Sequence, residues 1–227
     1  MNFPDYHMEE NHLSLERFRE MDYLAVERFN LPVELMMENA GLHLARLAAY
    51  YLRPGGRVLV GAGPGNNGGG GMVAARRLAG WGFRVRLDIP VRDMKELPRI
   101  QLERAKAAGA VEGGITGQDI FIDAYLGFSQ RLPLPEDILR SVEAAKTCDC
   151  PCISLDIPTG FDRGTGKAAF KPDAVLTLAA MKTELLSLPA CVEIYVADLG
   201  IPGIIYEQFG MHQPVKFRDS GVLRIAR

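Results

Sequence analysis

Three β-rich runs in this sequence end on residues able to bind or to react, and the types and spacing of those residues define the chemistry open to them. The run Arg57-Val58-Leu59-Val60 leads into Gly61-Ala62-Gly63-Pro64-Gly65-Asn66-Asn67-Gly68-Gly69-Gly70-Gly71, which reads as a glycine-rich loop entering a helix at Met72. So many absent side chains let the backbone approach a ligand and expose its N–H groups near a helix N-terminus, in outline a cradle for an anion or diphosphate. The second end is Ile122-Asp123-Ala124, followed by Leu126-Gly127-Phe128-Ser129-Gln130. The third is Ile153-Ser154-Leu155-Asp156-Ile157-Pro158-Thr159-Gly160-Phe161-Asp162, where an acid closes the run and a Pro-x-Gly turn fixes the chain after it. Asp123 alone reads as a turn cap. Two carboxylates converging with amide and hydroxyl oxygens offer either general acid/base chemistry or a site for a hard cation.

Two better-known glycine loops compete with this reading. Walker A fails, because Met72 stands where that loop needs Lys and then Ser or Thr. The dinucleotide fingerprint fits at Gly63-x-Gly65-x-x-Gly68, with Asp88 at the end of the next run as the ribose-binding acid. An NAD-linked oxidoreductase therefore stays open.

The elements that must position these ends follow from periodicity. Residues 13–29 and 32–52 carry apolar side chains at helical spacing, with Pro32 suited to a helix start and Met36 and Met37 read as core filler. Strands are expected at 57–60, 83–89, 120–123, 152–156, 174–178 and 192–197, and helices at 72–81, 95–108 and 135–145. This alternation predicts a three-layer αβα, Rossmann-like doubly wound and mostly parallel sheet with an N-terminal helical extension. In such a sheet, ligands sit beyond the carboxyl ends of the strands. The stretch 201–227 has weak periodicity, with a short helix expected at 204–209 and no function read from the rest.

At 227 residues and 48% apolar content the chain suits one domain. Its 26 basic and 28 acidic residues announce no basic face, so nucleic acid is not expected as a partner. Met1-Asn2-Phe3-Pro4-Asp5 has neither part of a signal peptide, and no apolar run reaches membrane-spanning length, which places the protein in the cytoplasm. Cys148, Cys150 and Cys152 alternate at the entry to a strand and read as reduced structural thiols, not zinc ligands.

Taken in order, Met37-Glu38-Asn39-Ala40-Gly41, Gly63-Pro64-Gly65-Asn66-Asn67-Gly68-Gly69, Asp123-Ala124 with Gly127-Phe128-Ser129, and Leu155-Asp156-Ile157-Pro158-Thr159-Gly160-Phe161-Asp162 resemble the YjeF N-terminal domain family, the NAD(P)H-hydrate epimerases. The resemblance runs from about Leu15 to Pro202. It implies an isomerase that interconverts the R and S forms of hydrated NADH and NADPH, with Asp156 as catalytic acid/base. It also implies a substrate site made of Asn66, Asn67, Gly68, Gly69, Gly70, Gly127, Phe128, Ser129, Gln130, Arg131, Leu132, Pro133 and Asp156. One potassium ion per subunit would be held by Asn67, Asp123 and Thr159, the last replacing the family's Ser. A homodimer is implied, as is a separate NAD(P)H-hydrate dehydratase, since this chain carries no dehydratase domain. The main departure is Gly70, where the family has Asp; relatives with altered motifs serve as binding or scaffold modules, which is the alternative to catalysis. Lys182, a lone lysine, is read as solvent-facing and left out of the site.

Overall fold

The computed structural model describes residues 3–7, 12–114, 117–169 and 171–226; Met1, Asn2 and Arg227 lie outside the described residues. Their order is β1 (Asp5–His7), β2 (His12–Leu13), α1 (Leu15–Phe29), α2 (Val33–Tyr51), β3 (Arg57–Ala62), α3 (Asn66–Gly80), β4 (Arg84–Asp88), α4 (Glu96–Ala107), β5 (Val111–Glu112) and β6 (Ile120–Ala124). There follow α5 (Glu136–Ala145), β7 (Cys152–Leu155), β8 (Ala174–Leu178), β9 (Met181–Lys182), a 3-10 turn (Thr183–Ser187), β10 (Glu193–Ala197), α6 (Gly203–Gln208), α7 (Phe217–Ser220) and β11 (Val222–Ala226).

Nine strands form one sheet in the order β1-β11-β10-β8-β7-β6-β3-β4-β5, parallel throughout except where β11 runs against β10. The central strands are apolar on both sides because helices cover both faces. On one face Val58, Val60, Ile122, Ile153 and Leu176 pack under α2, α3 and α4. On the other, Leu59, Phe121 and Cys152 meet Ile138 and Val142 of α5. The doubly wound α/β expectation is met. The segment at 201–227, given no role from the sequence, instead supplies β11, and β1 pairs beside it with Asp5 opposite Arg224. Among the described residues no helix is long and apolar enough to cross a membrane.

Residues 37–41 act as a brace. Glu38 accepts from Arg76 at 2.7 Å and 2.5 Å and from Arg77 at 2.9 Å, while Asn39 donates to the Leu199 carbonyl at 3.0 Å. Gly41 meets Val73 and the Gly70 carbonyl with no room for a Cβ, so α2 lies hard against α3. One turn on, His43 is 6% exposed, its ring against Gly221, and burial together with Arg46 and Arg77 lowers its pKa to about 4 from 6.5. The folded state thus favours the neutral ring, and the stability gained is complete above about pH 6.5 and lost as pH falls towards 4. Acidification from pH 7 to 4.5 should cost on the order of 2 kcal/mol through this group. Melting curves should show His43→Gln losing less stability than wild type over that range; parallel slopes would refute the assignment.

Candidate active site

The sheet changes direction between β3 and β6, which lie side by side with Gly61 opposite Asp123 and Ala62 opposite Ala124. A crevice beyond the carboxyl ends is expected at such a reversal. The glycine-rich stretch takes a different form here from the one expected: only Gly63-Pro64-Gly65 is loop, and α3 begins at Asn66, not at Met72. Each interior helical glycine costs about 1 kcal/mol against alanine, so packing must require them. A Cβ on Gly68 would lie 1.9 Å from the Gly63 carbonyl oxygen, and one on Gly71 would lie 2.5 Å from the Ala124 Cβ. The glycines therefore let the helix sit directly on the strand ends. Its first turn, Asn66 and Asn67, is delivered to the crevice with N–H groups that no preceding helical carbonyl can take.

Beside it, Asp123 is fully buried, and its carboxylate accepts from the Thr159 hydroxyl (2.6 Å), the Ser154 hydroxyl (2.8 Å) and the Thr159 N–H (2.9 Å). Burial raises its pKa against these hydrogen bonds. The Thr159 hydroxyl also accepts from the Leu126 N–H at 3.1 Å, tying the turn after β7 to the loop after β6. The next residue, Gly127, links both to α3: a Cβ there would lie 3.1 Å from the Asn67 Oδ1 and 2.9 Å from the Asp156 Oδ2. Asn67, Asp123, Thr159 and Asp156 thus gather around one backbone segment. The Asn67 Nδ2 is buried without a hydrogen-bond partner.

Asp156 follows β7 at φ 67°, a conformation that Asp and Asn accept more readily than most residues. Its side chain is 2% exposed; Oδ2 accepts from the Phe128 N–H at 2.8 Å, and Oδ1 lies 3.3 Å from the Lys182 Nζ. Lys182 corrects the sequence reading: it is 0% exposed, not solvent-facing. Its ammonium sits 3.5 Å from the centre of the Phe18 ring and donates to the Leu178 carbonyl. Burial lowers its pKa to about 8, opposed by Asp156, Asp22 and Glu184. No motif marks this lysine; the one available signal was its place next to Met181 in an otherwise apolar stretch.

The other expected residues divide. Phe128 packs edge-on against Phe18, with ring centres 5.3 Å apart, and so closes the site on the α1 side. Gln130 is turned to bracing, donating to the Pro158 carbonyl at 3.1 Å and accepting from the Gly160 N–H at 2.6 Å. Ser129, Arg131, Leu132 and Pro133 lie exposed at the rim. Gly70 is inside α3, without positive φ, and a Cβ there would meet the Leu155 Cδ2 at 3.0 Å. A carboxylate at 70 would thus be directed towards the end of β7, one residue before Asp156. Asp88 accepts from the Tyr125 hydroxyl at 2.6 Å, so the acid of the dinucleotide fingerprint already has a partner.

The chain resembles proteins of known name along most of its length. It is 37% identical over 216 residues to the NAD(P)H-hydrate epimerase of Rhodopirellula baltica, covering 88% of each chain. A bifunctional NAD(P)H-hydrate repair enzyme of Archaeoglobus fulgidus is 37% identical over 185 residues, 78% of this chain and 39% of that one. The crystal structure of a yeast protein superposes with a TM-score of 0.83 over 94% of this chain and 99% of that chain; at 23% identity it shows the fold alone. Residues 33–184 match the family profile described as YjeF-related protein N-terminus. With that match over most of the chain, and with the loops of β3, β6 and β7 gathered at one sheet reversal, this protein belongs to the YjeF N-terminal family.

Proposed function

We propose that the chain is an NAD(P)H-hydrate epimerase, interconverting the R and S forms of hydrated NADH and NADPH, with Asp156 moving the proton. The observation that carries this reading is the Asp156 carboxylate itself, buried at a strand end and facing Asn67 across the space that Gly127 leaves clear. Inverting C6 of the hydrated ring requires its hydroxyl to leave and return, or the ring to open and close. Both routes move a proton at the C6 oxygen, the task of a positioned carboxyl group. The N–H groups at the start of α3 suit the substrate's diphosphate, and the exposed rim from Ser129 to Pro133 leaves room for the rest of the nucleotide.

The amide of Asn67, the carboxylate of Asp123 and the hydroxyl of Thr159 offer oxygen donors, and Asp123 is buried without a basic partner among the described residues. That donor set fits a potassium ion, which would neutralise Asp123 and fasten the three strand ends together. Among the described residues no group of three or more His, Cys, Asp and Glu could hold a metal ion, so a zinc-like centre has no support. The reading further places the protein in the cytoplasm as a homodimer, with Tyr23 (57% exposed) and Leu35 (53%) on the first two helices supporting a contact there. A separate dehydratase would take the epimer it can use.

Gly70 supports a second reading, a binding module that retains the ligand site without turnover. Separating the R and S forms of NADPHX by chromatography decides between them: the epimerase exchanges them faster than the spontaneous rate, and faster in potassium than in choline. A protein that binds NADPH but leaves exchange at the spontaneous rate is the module instead.

A further inference from the structure

We infer that Lys182 is a positioning residue for the reaction, an ammonium held behind Asp156 so that its carboxyl group meets the substrate in one set orientation. This rests on Asp156 acting as proposed above. The geometry of the ammonium is over-determined. Asp156 Oδ1 lies 3.3 Å to one side, the Phe18 ring 3.5 Å to another, and the Leu178 carbonyl accepts a hydrogen bond from it. The segment that bears Lys182 is fastened independently. Leu13 pairs with Lys182 in the short β2-β9 ladder, and Glu184 accepts from the Leu15 N–H at 3.0 Å, anchoring the start of α1. That anchorage holds Phe18, one turn into α1, over the ammonium, and brings Asp22 onto the same helical face a turn later.

A fully buried lysine is expensive and needs paired charge or strong hydrogen bonds. Here the groups that face it are Asp156, Asp22 and Glu184, all acidic. The cation is therefore held between the acid proposed to react and one contributed by α1. Asp156 has its Oδ2 fixed by the Phe128 N–H, while its Oδ1 lacks a directed hydrogen bond and lies against the Lys182 ammonium, with Asp22 also near enough to interact with both charges. Such an arrangement restricts rotation of the carboxyl group. Lys182 does not reach the substrate; it acts through Asp156.

The test is Lys182→Met, which keeps length and removes charge. R/S exchange should fall about 10²-fold in kcat, with KM changed less than about threefold, because the orientation of Asp156 is lost but not binding. Lys182→Arg, which keeps the charge, should recover most of the lost kcat. An unchanged kcat in Lys182→Met would overturn the proposal. A second measurement needs neither catalysis nor a folded Lys182 variant: the 13Cε resonance of Lys182 is titrated in wild type and in Asp156→Asn. A lower midpoint in the variant supports the coupling, and equal midpoints refute it. Loss of exchange in wild type would overturn the epimerase reading while leaving this titration interpretable.

Discussion

Asp156→Asn should lower R/S exchange of NADPHX by about 10²–10⁴-fold while leaving NADPH affinity within a few-fold of wild type. Asn retains the left-handed backbone at φ 67° and an oxygen to accept the Phe128 N–H, so the strand end keeps its shape. It cannot carry a proton at neutral pH. The change also strips Lys182 of its nearest anion, and a buried ammonium left without one would be costly. Lys182 begins from about 8, so it can shed its proton and remain as a neutral amine. The variant should therefore fold, with a lowered melting temperature that circular dichroism can record. Exchange within threefold of wild type in a folded Asp156→Asn protein would remove Asp156 from the mechanism.

Gly127→Ala should be nearly as damaging, for a reason of space and not charge. The backbone there does not require glycine, since its φ is not positive. The added methyl would instead enter the gap between the two side chains, 2.9 Å from the Asp156 Oδ2 and 3.1 Å from the Asn67 Oδ1. Asp156 Oδ2 is held by the Phe128 N–H, so either that contact or the Asn67 amide must give way. A displacement near 1 Å in a reacting group can cost about 10²-fold in rate. The expected result is a loss of that order in kcat with a melting temperature close to that of wild type. A crystal structure should show the Asp156 carboxylate or the Asn67 amide turned aside. Full activity in Gly127→Ala would mean that substrate does not use this gap.

The sheet could be read in advance because its central strands are short apolar runs bounded by turn residues, as at Val58, Leu59 and Val60 or Ile120, Phe121 and Ile122. The strand-end acids could be read for the same reason, each standing where such a run stops. The start of α3 could not, because propensity places glycine in loops, and what overrides it here is contact with Gly63 and Ala124, residues of other segments. β1 and β11 escaped notice because each is stabilised by a partner at the opposite end of the chain. Lys182 was misread by the general rule that lysines face water; its burial follows from Phe18 on α1, which no local pattern connects to it.

The glycine face of α3 also bears on how the crevice can open. Where side chains interdigitate, small rotamer changes absorb a shift of one element against another, but backbone resting on backbone has no such slack. With Gly68 against Gly63 and Gly71 against Ala124, the wall of the site formed by α3 and the ends of β3 and β6 behaves as one rigid piece. If a nucleotide binds here as proposed, adaptation to it would fall to the opposite rim, where Ser129, Arg131, Leu132 and Pro133 are exposed. Entry and release would then be one-sided, past a yielding rim and against a wall that does not yield.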